Sequence, residues 1–317
     1  QLRELTMLNG AGYADLPEAI RKDFGRFSLS MICISSESHD DVKFDIFERL
    51  NKGSAKLKEH EIRNCVYRGT LNKITKEVAS GERFRKIFHF PDKQVARMED
   101  SGFLVACLCL LANNGVMKGS TKDAINKYME KNRNMPEEDV KKITSQFMTC
   151  ADTVFTLFGE YSFRKCHSGK SASFGWEPKL NTALALSMIY AVSQFPRHQI
   201  TIHAEAIRER IIDLMILDAD FISSMASQTT SEKNILMRIV KIRDVIQSCI
   251  SDQGPRLFSY ADKVKLFTVD PTCKLCDQRI THIDDSQVDH IVRWVDGGTT
   301  DISNGQLAHR ICNAMKG

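Results

Sequence analysis

No stretch of this 317-residue chain approaches the ~18 uninterrupted apolar residues that a membrane-spanning helix needs. The best candidate, residues 103–112, is about half that length and reads as a buried core helix. Strong charge of either sign is also missing. Lys and Arg number 44 against 40 Asp and Glu, for a formal charge of +4. That balance permits contact with nucleic acid without demanding it, since a dedicated duplex binder is usually far more basic. No repeat of fixed period runs along the chain. The opening Q-L-R-E-L-T-M-L-N-G places charge where a signal peptide would be apolar, so the expectation is a protein that is not exported. The chain also lacks a starting Met and opens inside what reads as a helix, so a fragment with native sequence upstream is expected.

Ten cysteines are present, but they are not distributed as a disulfide framework. Cys33, Cys65, Cys107, Cys109, Cys150, Cys166 and Cys249 are scattered among apolar neighbours, as buried free thiols usually are. The other three gather near the C-terminus at metal-site spacing. The pattern fits a reducing, cytoplasmic setting.

Up to residue 254 the chain reads as mostly helical. Phe44, Phe47 and Leu50 recur at helical spacing, as do Ile62 and Val66, then Leu71 and Ile74 beyond Gly69. Further helices are expected over 102–113, 137–158, 180–193, 204–217 and 231–251. The last has Ser231 as a plausible N-cap and a stripe of Ile235, Ile239, Ile242 and Ile246. Polar stretches with Gly and Ser at 167–175, 223–231 and 251–256 read as loops. The boundary between two domains, 1–254 and 255–317, is placed at S-D-Q-G-P-R, where Gly254-Pro255 stops a helix. Beyond it the texture shifts to short β-like runs and turns, with strand character over 287–294, a G-G-T-T-D loop, and a short helix over 309–316.

Cys273 and Cys276 form a C-x2-C pair, and His309 with Cys312 forms an H-x2-C pair. A tight knuckle and a helix start can together close a tetrahedral zinc shell of three sulfurs and one nitrogen. Helical positions three apart lie close around the axis, so His309 and Cys312 can face one ion. A segment of this size with few large apolar side chains usually needs such a staple. With its shell filled by protein, this zinc is expected to be structural.

Between the zinc pairs lie V-D-H-I and G-G-T-T-D-I-S-N, and the chain closes on C-N-A-M-K-G. From 258 to 317 it resembles the HNH (ββα-metal) endonucleases, with one departure: His309 replaces the usual first Cys of the closing pair. The resemblance implies a small zinc-stapled ββα-metal domain behind a mainly α region. The chemistry accounts for the residue types. Cutting a phosphodiester needs an activated water, a cation to neutralise charge, and stabilisation of the leaving oxygen. His290 is the expected base. Asp289, its neighbour on a strand, faces the opposite way and can bind a hard cation. Asn313 lies around the helix from Cys312, turned towards that cation. By resemblance, Asn304 hydrogen-bonds across the loop and holds His290. The implied catalytic cation is Mg²⁺ or Mn²⁺. Arg310 and Lys316 are candidate phosphate contacts, and His282 reads as a surface residue. From residue 255 onward eight Lys/Arg meet eight Asp/Glu, so the module has no net positive field of its own.

The stretch 44–69 resembles the GmrSD-type restriction family, whose N-terminal domain is ParB-like and nucleotide-using. The match rests on I-F-E-R-L-N at 46–51 and E-I-R-N-C-V-Y-R-G at 61–69. That family's D-G-Q-Q-R motif does not occur here, so no nucleotide-handling residue is assigned. Any nucleotide dependence would come through an absent upstream region. The resemblance implies a role in bacterial restriction or antiviral defence. Glu48, Arg49, Glu61 and Arg63 read first as local helix salt bridges and second as the frame of a sensing pocket. Arg83, Arg85, Lys86, Lys93 and Arg97, interleaved with Phe84, Phe88 and Phe90, are either a phosphate-contacting surface or a core with charged flanks.

The functional expectation is a metal-dependent DNA endonuclease. One HNH site cuts one strand, so a double-strand break takes a homo-oligomer or two successive events. The alternatives are a zinc-bearing nucleic-acid-binding module without cleavage, and an RNA endonuclease.

Overall fold

The computed structural model describes residues 6–31, 57–169, 172–251 and 258–316, with positions 33, 35, 38, 42, 43, 45, 46 and 49 between the first two. The expected Phe44–Phe47–Leu50 stripe, Glu48 and the boundary at 254–255 lie outside the described residues.

The described residues up to 251 are overwhelmingly helical. Helix α1 (Glu18–Arg26) precedes α2 (Glu59–Val66), α3 (Thr70–Ser80), α4 (Glu82–Phe88) and the single turn α5 (Asp92–Val95). Then come α6 (Glu99–Ala112), α7 (Thr121–Asn132) and α8 (Glu137–Phe158). An antiparallel hairpin, β1 (Cys166–Gly169) and β2 (Ala172–Trp176), leads to α9 (Thr182–Ser193) and α10 (Arg197–Ile202). Helices α11 (Ala204–Leu217), α12 (Ala219–Ala226) and α13 (Glu232–Ser251) complete this part.

Apolar periodicity explains most of these elements. The stripe Ile235, Ile239, Ile242 and Ile246 is buried along α13, and Ser231 caps it by accepting from the Asn234 amide at 3.3 Å. The segments α6 and α9 are apolar nearly all round and lie inside the bundle, as such helices must. Phe84, Phe88, Phe103, Phe147 and Phe163 pack ring against ring in one continuous core. The aromatics between the basic residues 83–97 are therefore largely core. Arg83 pairs with Asp152, and Arg97 holds Glu61 at 2.7 Å. Arg63, itself buried, bonds Glu59 at 2.9 Å and Asn126 at 2.7 Å.

Three expectations here need correction. Residues 223–226 close helix α12 and are not loop. Residues 167–175 are mostly a β-hairpin, because Phe174 and Trp176, two apart, turn to one face, where Phe158 and Tyr161 receive Trp176. Cys33 and Cys65 are exposed, whereas Cys107, Cys109, Cys150, Cys166 and Cys249 are buried as expected.

The C-terminal unit has a second, small core of Cys273, Ile280, Leu307 and Ala308, with Leu266, Phe267 and Cys312 packed on it. It opens with α14 (Tyr260–Val269), a helix that the β-like texture did not suggest, capped by Ser259. A knuckle follows, then β3 (Ser286–His290) paired antiparallel with β4 (Gly305–His309), and finally α15 (Arg310–Lys316). The register sets Asp289 opposite Gln306 and His290 opposite Gly305. The architecture is thus mainly α with a small ββα unit at its end.

Candidate metal centre and nuclease site

The knuckle is closed by backbone bonds: the Asp277 amide donates to the Cys273 carbonyl at 2.9 Å, and the Cys273 amide to Gln278 at 2.9 Å. Asp277 takes the left-handed conformation that reverses the chain. The Lys274 amide donates to Leu307 at 2.8 Å, tying the knuckle to β4. Cys273, Cys276, His309 and Cys312 consequently present ligand atoms that all lie within 4.8 Å of one another. His309 is the last residue of β4 rather than part of the helix, so strand end and helix supply one ligand each.

The donor chemistry fits zinc. His309 Nδ1 faces the sulfurs of Cys276 at 3.4 Å and Cys312 at 3.8 Å, while Nε2 lies 4.0 Å from the Asp285 carboxylate. A carboxylate behind the far nitrogen is the usual way an imidazole ligand is oriented. Burial works against the Cys273 thiolate, but the amides of His309, Leu275 and Cys276 outweigh it and bring the thiol down to about 7. Burial and the neighbouring sulfurs push Cys312 up to about 12. Three crowded thiols whose charges repel are what a dication would relieve.

Successive side chains alternate along β3, so Gln287 and Asp289 share the face turned to α15. Asn313 and Lys316, three apart on that helix, look back at them. Asn313 Nδ2 donates to Gln287 Oε1 at 2.8 Å, and Lys316 Nζ to Asp289 Oδ2 at 2.7 Å. Gln306 Nε2 also donates to Asp289 Oδ2, at 2.7 Å. Both bonds land on one carboxylate oxygen and leave Oδ1 clear of them. His290 points to the other face, packed between Phe258 at 4.6 Å and Trp294 at 6.1 Å, with Nε2 3.3 Å from Thr300 Oγ1.

Asn304 organises the loop between the strands. Its Oδ1 accepts from the Val292 amide at 2.8 Å, and its Nδ2 donates to the carbonyls of Val292 at 3.1 Å and Thr299 at 2.8 Å. The Gly-Gly pair has two separate reasons. Gly297 is left-handed at φ 87°, and a Cβ on Gly298 would lie 1.9 Å from the Val292 carbonyl oxygen. Asn304 therefore braces the segment directly after His290 through backbone alone.

Arg310 is not a phosphate contact. It is fully buried, and its guanidinium bonds Asp213 at 2.8 Å, the Glu209 carboxylate and the Asp284 carbonyl. His282 is not a plain surface residue either: its ring stacks on Phe174 at 4.8 Å and its Nδ1 accepts from the Asp284 amide.

These contacts expose a surface the sequence reading missed. Glu205, Glu209 and Asp213 stand at i, i+4 and i+8 on α11 and face the C-terminal unit. Glu205 accepts from the Tyr260 amide at 3.1 Å, Glu209 from Lys263 at 3.1 Å, and Asp213 from Gln287 at 2.9 Å. Arg208 and Trp176 bond Asp284, and Ser168 bonds Asp285 at 2.6 Å. Burial works against the Asp284 charge, yet the Arg208 bond holds its carboxyl below the usual range. Burial pushes Asp213 up against the pull of Arg310. A cleft of about 570 Å³ runs along this seam and reaches Gln287 and Asn313. The acidic spacing on α11 was visible in the sequence, but nothing there named its partner.

Residues 273–317 match the family model described as HNH endonuclease. No curated protein and no solved structure matches the chain. The C-terminal unit therefore carries an HNH endonuclease domain with a Cys₃His cluster that fits structural zinc.

Proposed function

We propose that this chain is a metal-dependent endonuclease that hydrolyses DNA phosphodiesters one strand at a time. The observation that carries the reading is the opposed placement of Asp289 and His290 on β3, with Asn313 packed over the Asp289 face. Asp289 and Asn313 would hold Mg²⁺ or Mn²⁺, and their oxygen-donor chemistry suits a hard cation that keeps several waters. The bound cation supplies positive charge beside the scissile phosphate and its leaving oxygen.

The protein side chains do the rest. His290 takes a proton from water, its ring held between Phe258 and Trp294 so that it does not swing away from the strand end. Asn304 keeps the following loop in place by its three backbone bonds. Lys316, seated on Asp289 Oδ2 and the His290 carbonyl, sets a positive charge at the edge of the site.

The finer reading is an effector of a bacterial restriction or defence system, with the helical part as sensor. Its support is the resemblance of residues 44–69 to the GmrSD-type family, and much of the first motif lies outside the described residues. Glu61 bonds Arg97 in the turn after α5, and Arg63 bonds Glu59 within α2 and Asn126 on α7.

Plasmid cleavage tests the enzyme assignment. With Mg²⁺ or Mn²⁺ the full chain nicks supercoiled DNA, EDTA stops it, and His290→Ala lowers the rate by about 10²–10⁴ with zinc content intact. Undiminished cleavage by the variant would remove His290 as the base. Competition between matched DNA and RNA of one sequence decides the substrate, and RNA winning would overturn the DNA assignment.

A further inference from the structure

Asn313 can serve a cation only through its carbonyl oxygen, because its amide nitrogen is a donor with no lone pair to offer. An Asn amide can turn over at little cost unless its neighbours fix it. Here the neighbours do so in series. Asp213 on α11 is a carboxylate that only accepts; it takes Gln287 Nε2 at 2.9 Å on each oxygen and Arg310 Nη1 at 2.8 Å on Oδ1. With its nitrogen committed to Asp213, Gln287 must turn Oε1 towards α15, where it accepts from Asn313 Nδ2 at 2.8 Å. With Nδ2 thus engaged, Asn313 is left presenting Oδ1.

We infer that Asp213 and Gln287 are positioning residues that set the amide polarity of Asn313, so that the helical body decides whether the nuclease site can hold its cation. The inference rests on the proposed role of Asn313 as a cation ligand. The polarity originates at Asp213, outside the segment that matches the nuclease family, and crosses the seam between the two parts of the chain. When the seam opens, Gln287 loses the acceptor that orients it, and Asn313 is free to present either end. The coupling needs no contact between α11 and the cation.

A reversed relay has a defined signature. Asp213→Asn keeps an acceptor for Arg310 but offers Gln287 a donor as well. The Gln287 amide can then flip, accept from the new amide on α11 and donate towards α15, which draws Asn313 Oδ1 inwards and away from the cation. Adding Gln287→Glu restores the original sense, because a carboxylate at that position accepts from both sides and returns the net charge to that of the parent chain.

The test is Mn²⁺ binding by the zinc-loaded full chain without nucleic acid, followed by the paramagnetic resonance signal of free Mn²⁺. Asp289→Ala and Asn313→Ala report on the cation site itself. Asp213→Asn is expected to weaken Mn²⁺ by about ten- to a hundredfold, as loss of an orienting partner does at metal sites. The double variant Asp213→Asn/Gln287→Glu is expected to bind close to wild type. Gln287→Met cuts the relay without altering α11 and should weaken binding as well. Wild-type binding by Asp213→Asn or Gln287→Met, or a double variant as weak as the single, overturns the relay. If Asp289→Ala and Asn313→Ala bind as wild type does, or wild type takes up no Mn²⁺, the cation reading fails first and the relay with it.

Discussion

At Gly298 the chain passes so close to the Val292 carbonyl that a methyl group would sit 1.9 Å from its oxygen and 2.9 Å from Asn304 Nδ2. The backbone must move to admit any side chain, and the segment that moves is the one Asn304 braces after His290. Gly298→Ala is expected to lower nicking by about a hundredfold, the scale of a misplacement near 1 Å. Zinc content should be unchanged, since the Cys₃His cluster stands on other elements; metal analysis beside the nicking assay checks both. At this scale the sequence was legible where chemistry is local. The C-x2-C and H-x2-C pairs come together as their spacing implies, and Asp289 and His290 oppose each other because a strand alternates. It misled at Arg310 and His282, whose partners Glu209, Asp213 and Phe174 are far away in sequence. A basic residue on a short helix gives no sign of whether water or a carboxylate lies in front of it.

Helix α2 crosses α6 where Gly102 lets the His60 side chain approach within 2.7 Å of the place a Cβ would occupy. His60 is half-buried, and its Nε2 has no hydrogen-bond partner among the described residues. Burial lowers its pKa, only partly offset by Glu99 and Glu61. The fold therefore favours the neutral imidazole. Its contribution is fully present above the unfolded value of about 6.5 and is lost as pH falls through the lower folded value. His60→Gln should accordingly flatten the fall in thermal stability between about pH 7 and 5.5, by roughly 2 °C in Tm, in parallel melts of the two proteins. An equal fall in both would exclude His60 as its source. Regular apolar spacing is enough to give helices α8 and α11 their full bounds. It is not enough for the hairpin β1–β2 or helix α14, since each depends on a neighbour: the hairpin on the aromatics of α8 and its following turn, α14 on the sheet it covers.

Between the helical body and the nuclease unit lies a seam rich in buried charge. Arg310 is its most buried member; burial opposes its charge, yet Glu209 and Asp213 outweigh that and raise its pKa. Lys263 is its weaker companion: burial lowers its pKa more than Glu209 restores it. Replacing one partner leaves the others uncompensated, and the cost of breaking such a buried pair is about 3–5 kcal/mol. Arg310→Met should thus destabilise the docking by roughly that amount, seen as faster amide exchange in α14 and β3 with α8 and α9 unaffected. Uniform exchange across the whole chain would argue instead for a general loss of fold. By the relay through Gln287, the same variant should also weaken Mn²⁺.

The sequence by itself determined the elements whose causes are local: apolar stripes that make helices, ligand spacings that gather a Cys₃His cluster fit for zinc, and a two-residue alternation that parts His290, the proposed base, from Asp289, the proposed cation ligand. Only the tertiary structure decided which residues serve the site from outside it. Asp213, Gln287 and Arg310 act through bonds between segments up to about a hundred residues apart, and a hydrogen-bond polarity has no signature in sequence until both ends are in place.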